Sequence, residues 1–375
     1  MKIFVAVSRV IVGVLFIFSG LIKANDPSGL SYKMQEFFEI WGWHSLNDFT
    51  LSLSILMIAF EIIAGVAVLL GWQMRLFSWL LLLLTIFFTF LTGYALFSGK
   101  IRECGCFGDC IPLTAGQSFM KDLVLLLLIL LIFANRNKIR PALSAAGSVG
   151  ILVLTTVFSF GFQWYVLRHL PIVDCLPYKT GKNIPEQMKI PASAIQDSTV
   201  ISFVYLKGGK EVEFTADQFP VDFSDSLYTF VKRYDKLIRQ GNAVVPIKDF
   251  ALGTIYGNDT TSAVLNTPGY SVFVFTSGIP DSEPGWLADF KNTYELTRSK
   301  NIPMYFITNS YDQVAEWANK NGFQEQATVL KCDFVAVKTA ARANPTMYLL
   351  KQGTIINKWS YADFDKVPDM VTNLK

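Results

Sequence analysis

LFSWLLLLLTIFFTFLTGYALFSGKIRECGCFGDC, residues 76–110, runs from a long apolar segment straight into a cluster of cysteines. Leu76 to Phe97 carries no charged side chain, and about 20 such residues in a helix cross the hydrocarbon core of a bilayer. The three cysteines that follow, Cys104, Cys106 and Cys110, fall within seven residues. The backbone holds them within reach of one another, and the end of a membrane-crossing helix fixes their depth. This arrangement points to thiol–disulfide chemistry at a membrane surface.

The composition agrees with a membrane protein that also carries a large water-soluble part. Of 375 residues 51% are hydrophobic and 17% charged, against roughly 25% charged in ordinary soluble domains. The apolar excess lies before residue 170. Five segments are long enough to cross: Ile3 to Ile22, Leu51 to Leu70, Leu76 to Phe97, Phe119 to Ala134 and Ala146 to Leu167. The first has no convincing small-x-small cleavage site. It continues through Lys23 and Pro27 into what reads as an aromatic-rich amphipathic loop, so it is taken as an uncleaved span rather than a signal peptide.

Arg75 lies between spans two and three, and Arg136, Lys138 and Arg140 lie between spans four and five with no acid among them. Together with Lys2 they mark one side as cytoplasmic. Five spans then place the cysteine loop and the chain after residue 168 on the other side. The expected setting is a bacterial cytoplasmic (inner) membrane with the N-terminus inside and the C-terminal domain periplasmic. All five cysteines, including Cys175 and Cys332, land outside, where disulfides persist.

Glu61 lies inside span two, where an ionisable group is expensive unless paired or functional. A structural partner is the preferred reading, with Lys23 or Arg9 as candidates. Lys121 and Asp122 open span four near the interface and read as solvated. Trp41, Trp43, Trp72 and Trp79 read as interfacial anchors rather than a binding site.

Three readings of the cysteine loop compete. A relay would use the surplus thiol, one cysteine attacking and another resolving, with Lys100 and Arg102 favouring a thiolate and Glu103 and Asp109 opposing it. The plain alternative is one structural disulfide with a passive third cysteine. Close thiolates also suit zinc or copper(I), but His44 and His169 are the only histidines and neither is near. The metal reading is the weakest.

Residues 1 to 140 resemble the DoxX-like membrane proteins, a four-span core, and the CGCFG stretch looks like their MauE branch. Ser19-Gly20-Leu21-Ile22-Lys23 and Glu61 also look like this family. The resemblance carries Cys104, Cys106, Phe107 and Gly108, and Cys110 less firmly. It implies a role in methylamine utilisation, where a disulfide-rich dehydrogenase subunit must mature outside the cytoplasm.

Beyond the fifth span, taken as 141–168, residues 169–259 read as a linker followed by a β-containing region. Pro171 to Pro191 suggests an extended surface segment, with Cys175 near the membrane, either paired with or shuttling to the cysteine loop. Val200 to Tyr205 and Glu211 to Phe214 read as a hairpin turning at Lys207-Gly208-Gly209-Lys210. From 260 to 375 strands alternate with helices: Ser271 to Thr276, Trp286 to Ser299, Pro303 to Thr308, Tyr311 to Asn321, Thr346 to Leu350 and Thr354 to Trp359. This order fits a sheet covered by crossover helices.

It resembles a thioredoxin-like domain, with Asn344-Pro345-Thr346 at the family's cis-proline site. The family's CxxC would lie between the first core strand and the next helix. Thr276 to Pro284 holds no cysteine, so the resemblance implies a domain that docks rather than catalyses. Cys332 is expected to be a buried thiol or a partner of Cys175.

The fold class is therefore a helical membrane bundle bearing an α/β thioredoxin-like domain. The leading function is a membrane accessory protein for thiol–disulfide handling or maturation of an exported or envelope partner. The alternative is a non-catalytic structural or chaperone subunit of a larger membrane complex, and whether the chain is an enzyme is left open. No cofactor is specified by the residues, although the aromatic-rich span ends leave room for a quinone. Few intramembrane polar groups argue against a transporter. A net charge of +3 with no outer basic patch argues against nucleic acid.

Overall fold

The computed structural model describes residues 2–374 except 99–104, 106, 193, 196–197, 216–217, 225, 240–242, 244, 280–283 and 326. Five helical segments are long and apolar enough to cross a membrane. They contain α1 (Lys2–Ala24), α3 (Thr50–Leu70), α4 (Met74–Ser98), α5 (Ala115–Ala134) and α6 (Ala145–His169), which match the five expected spans. The stretch after the first span is not a loop. It forms α2 (Pro27–Ile40), with Pro27 in its first turn and the Asp26 carboxylate accepting from Gly29 N at 3.0 Å. Asp before Pro is a start signal that the aromatic content of the segment masked.

The bundle tightens where α1 meets α3. Gly13 on α1 and Gly65 on α3 face each other so closely that a Cβ at Gly65 would lie 2.8 Å from Gly13 O and 3.0 Å from Ile17 N. Small residues allow this approach where apolar lipid supplies no drive for helix association. At one end of the bundle Arg9 Nε and Nη2 donate to Val68 O and Leu69 O at 3.1 and 3.0 Å, satisfying carbonyls at the end of α3. Arg75 Nε reaches Asn137 Oδ1 at 2.9 Å. The basic turns expected on one side thus meet at one end, and the cysteine loop lies at the other.

After α6 the chain forms a short helix α7 (Ile184–Gln187) and an antiparallel sheet of β1 (Ser198–Lys207), β2 (Lys210–Thr215) and β3 (Tyr228–Arg239), ordered β2-β1-β3. The expected hairpin is present, with Lys207 opposite Lys210. Its turn has Gly208 and Gly209 at φ 56° and 79°, which suits a primed hairpin turn. Then come α8 (Thr261–Leu265), β4 (Tyr270–Thr276), α9 (Leu287–Ser299), β5 (Met304–Thr308), α10 (Tyr311–Lys320), β6 (Ala327–Lys331), α11 (Phe334–Ala340), β7 (Thr346–Lys351), β8 (Thr354–Ser360) and α12 (Val367–Thr372).

The second sheet is ordered β6-β5-β4-β7-β8. Strands β4, β5 and β6 run parallel, while β7 pairs antiparallel with β4 and β8 antiparallel with β7. Alternation along β4 divides the core into two layers. Val272 and Val274 pack toward α9, α10 and α12, and Phe273 and Phe275 toward α11. Strand β6 and helix α11 were not foreseen; they span only 5 and 7 residues.

The expected surface linker is also part of this core. Tyr178 and Ile184 are buried under the sheet with Ile247, Phe250 and Leu252. Gly181 N donates to Ile355 O, and Ile355 N to Lys182 O, at 2.7 and 2.9 Å, so the segment lines the free edge of β8. A boundary at residue 260 cuts through this packing, because the apolar face of the sheet needs cover that α11 alone does not supply.

Replacing Gly65 with Ala should force α1 and α3 apart and cost about 1–3 kcal/mol, the usual range for overpacking. Gly150→Ala, at a position with nothing within 4 Å, is the control. Thermal unfolding in detergent should lower Tm for the first variant and leave the second near the wild type.

Candidate functional site

The loop after α4 turns back through Gly105 and Gly108, at φ 67° and 56°, with Gly108 N donating to Gly105 O at 3.0 Å. It ends in a single 3-10 turn, Gly108–Cys110. Cys110 is disulfide-bonded to Cys175, with Cα atoms 4.8 Å apart across 65 residues of sequence. The bond fastens the cysteine loop to the segment leaving α6. Asn25 holds that segment a second time, donating to Val173 O at 2.8 Å and accepting from Val173 N at 3.0 Å.

Of the remaining cysteines, Cys104 and Cys106 lie outside the described residues, as do Lys100, Arg102 and Glu103. Cys332 is free and buried. Pairing between Cys332 and Cys175, one of the two readings of the sequence, does not occur because Cys175 is taken by Cys110. Cys332 follows β6 inside the sheet core, its backbone N donating to Thr308 O at 2.9 Å. Burial pushes its thiol up to about 12, far from the range of a reactive thiolate.

Beside the disulfide the α/β domain docks onto the bundle through Arg342. Its Nε donates to Asp26 Oδ2 at 2.8 Å and its Nη2 to Asp109 Oδ2 at 3.0 Å. The Arg342 side chain is only 6% exposed. Its guanidinium carbon lies 5.0 Å from the centroid of the Tyr32 ring. Burial opposes the guanidinium charge, but Asp26, Asp109 and Tyr32 together hold its pKa above the ordinary value. Burial raises the Asp26 carboxyl, with Arg342 pulling the other way. Asp109 therefore faces a cation rather than acting only as a brake on a thiolate.

Arg342 stands just before the Asn344–Pro345 peptide, which is cis. Asn344 Oδ1 accepts from Thr276 Oγ1 at 2.9 Å and from Ser277 N at 3.0 Å. These bonds fix the loop against the end of β4, at the position where the sequence lacks a CxxC. Other contacts widen the docking surface. Lys338 Nζ donates to Gln35 Oε1 at 2.8 Å, Lys358 pairs with Asp174 at 2.6 Å, and His169 Nδ1 lies 3.0 Å from Asp363 Oδ2.

Below this surface a cavity of about 280 Å³ opens inside the bundle. Its walls are mostly apolar and include Phe16, Phe37, Trp41, Phe88 and Leu91. Trp41 is thus part of a binding-sized cavity as well as an aromatic neighbour of Phe37, Phe90 and Tyr94. Gly105 and Phe107 bring the cysteine loop to its rim.

Glu61 and Lys23 also line the cavity. Lys23 Nζ donates to Glu61 Oε1 and Oε2 at 2.6 and 2.8 Å, and Ser19 Oγ to Oε2 at 3.2 Å. Of the two candidate partners, Lys23 is the one that meets Glu61, while Arg9 caps α3. Asp122, read from sequence as solvated, is instead 2% exposed. It accepts from Thr92 Oγ1 at 3.0 Å and pairs with Lys121. Its place near the start of the expected span suggested water, but α5 begins earlier, at Ala115, and packs against α4 around Asp122.

Sequence reasoning did not single out Arg342, Asp26 or Thr85 for this site. Asp26 lies next to Pro27 and Arg342 next to the proline motif, but nothing in either local sequence signals that residues 316 positions apart meet.

Arg342→Ala should leave Asp26 and Asp109 without their shared counter-charge and cost about 3–5 kcal/mol. The readouts are a lower Tm in detergent and faster proteolysis after α6, with Arg342→Lys falling between. Maleimide should label Cys332 at pH 8 on the order of a thousandfold more slowly in the folded protein than in denaturant, given the suppressed thiolate. Equal rates would contradict its burial.

Residues 1–135 match the family described as methylamine utilisation protein MauE, and residues 199–240 match a domain of unknown function, DUF8463. No curated protein and no solved structure matches the chain. The helices α1 to α5, their buried Lys23–Glu61 pair and the cysteine loop therefore lie in, or within, a region similar to the MauE family.

Proposed function

We propose that this chain is a membrane accessory protein that handles thiols and disulfides during maturation of an exported partner. The observation that carries the reading is the Cys110–Cys175 disulfide, set at the end of the bundle where the α/β domain docks. The match of residues 1–135 to a methylamine utilisation family supports an accessory role in maturation.

In the proposed exchange a partner thiolate attacks one sulfur of a disulfide in this chain and forms a mixed disulfide. The partner's second thiol resolves it. The partner gains one S–S bond, and two cysteines here are reduced by two electrons and take up two protons. Cys104 and Cys106 are proposed to exchange with Cys110 because they share its loop. The cysteine end is taken as periplasmic and the Arg9 and Arg75 end as cytoplasmic, following the Lys and Arg bias of the connections.

The unit from β4 to α12 is read as thioredoxin-like. Its mixed five-stranded sheet and cis Pro345 support this reading. Without a CxxC, it is proposed to position the partner rather than to react. A second reading, a static structural or chaperone subunit, is favoured by the same bond, since Cys110 is paired and Cys332 is enclosed.

Thiols trapped by a mass-shifting alkylating reagent in native membranes, followed by non-reducing peptide mapping, separate the two. The exchange reading expects mixed occupancy of Cys104, Cys106 and Cys110, and a mixed disulfide to a second protein that accumulates in the Cys106→Ser variant. One fully occupied Cys110–Cys175 bond that resists mild reduction, with no mixed species, would establish the static role instead.

A further inference from the structure

We propose that the cavity inside the bundle binds the ring of an isoprenoid quinone. Its volume of about 280 Å³ lies just below the roughly 300–1,000 Å³ of small-molecule pockets, which suits one ring and the start of its tail. The cavity lies among helices long enough to cross a membrane, so its ligand is lipid-soluble. Aromatic walls at Phe16, Phe37, Trp41 and Phe88 favour a flat ring over a saturated chain.

Polar groups on two sides of the cavity make the choice narrower. On the α1 and α3 side stand Lys23 and Glu61; on the α4 and α5 side stand Thr92, Lys121 and Asp122. Two of the three Lys23 ammonium protons go to Glu61, which leaves one to donate. Thr85 also lines the cavity at 2% exposure, and its hydroxyl has no hydrogen-bond partner among the described residues. A buried hydroxyl without a partner costs free energy that a ligand oxygen would recover.

A quinone carries oxygens on opposite sides of its ring and meets donors on both sides of such a cavity. Its reduced form donates instead, and Glu61 and Asp122 are there to accept. A lipid acyl chain would leave both polar sides unmatched.

Binding does not depend on the thiol reading, but the role of the quinone rests on it. The reduced pair left after exchange with a partner returns to the disulfide as two thiols and one quinone become one disulfide and one quinol. Two electrons and two protons leave the sulfurs for the ring oxygens.

The test uses the full chain in membrane vesicles, a photoreactive azido-ubiquinone and peptide mapping of the label. Label should fall on peptides of α1 and α4 that face the cavity and be displaced by excess decylubiquinone. Thr85→Val, which keeps the side-chain shape, should reduce labelling about fivefold to tenfold, as loss of one buried hydrogen bond does. Leu91→Trp, which fills the cavity, should abolish it, and the melting temperature of Thr85→Val reports whether that variant is folded. Label spread over lipid-facing positions such as Phe97 and Leu130, or equal displacement by phosphatidylglycerol, would overturn the site. So would unchanged labelling of folded Thr85→Val. The same labelling in a chain carrying Cys104→Ser and Cys106→Ser keeps failure of the thiol reading separate from failure of the cavity.

Discussion

Arg342 and its two carboxylates hold the parts of this protein in one arrangement. Asp26 comes from the turn between α1 and α2, Asp109 from the cysteine loop, and Arg342 from the segment before the cis proline. A cation this deeply buried is tolerated only with good geometry and full pairing. The guanidinium fork supplies both, because two nitrogens reach two separate acids in fixed directions. Moving any one of the three segments leaves a buried charge without its partner. The contact therefore sets the register of the α/β domain on the bundle as well as its adhesion.

The disulfide and the Asn25–Val173 bonds act on the same junction. They fix the exit of the chain from α6 close to the start of α2, so the downstream domain begins within reach of Asp26. A domain joined by a free linker would meet the cysteine loop only at its effective concentration; here it stays there. The segment from Tyr178 to Ile184 extends this economy of chain by folding into the sheet it leads to.

Inside the bundle the same physics applies with less water. Lys23 and Glu61 neutralise each other at hydrogen-bond distance, and Asp122 is paired with Lys121 and Thr92. Together these groups place polar atoms on an otherwise apolar cavity. Close contact of α1 and α3 at Gly13 and Gly65 determines how Lys23 is presented to Glu61, since both pairs lie along the same interface.

The five membrane-crossing helices were legible because length and unbroken apolarity suffice for them in a bilayer, which satisfies no backbone group that the helix leaves open. The hairpin at Gly208-Gly209 and most of the alternating strands and helices were legible from local patterns, whereas the Asn344–Pro345 bond was singled out only through the thioredoxin-like resemblance. Glu61 announced a partner by the cost of burying it, and the cysteine cluster drew attention to the loop that carries Cys110. Tertiary structure decided the rest: that Lys23 rather than Arg9 meets Glu61, that Cys110 takes Cys175 and leaves Cys332 enclosed, that Asp122 is buried, and that Arg342 joins Asp26 to Asp109. Each of these depends on residues far apart in sequence. Periodicity and composition report what one segment prefers, whereas pairing across 30 to 316 residues exists only once helices and sheet have packed and excluded water between them.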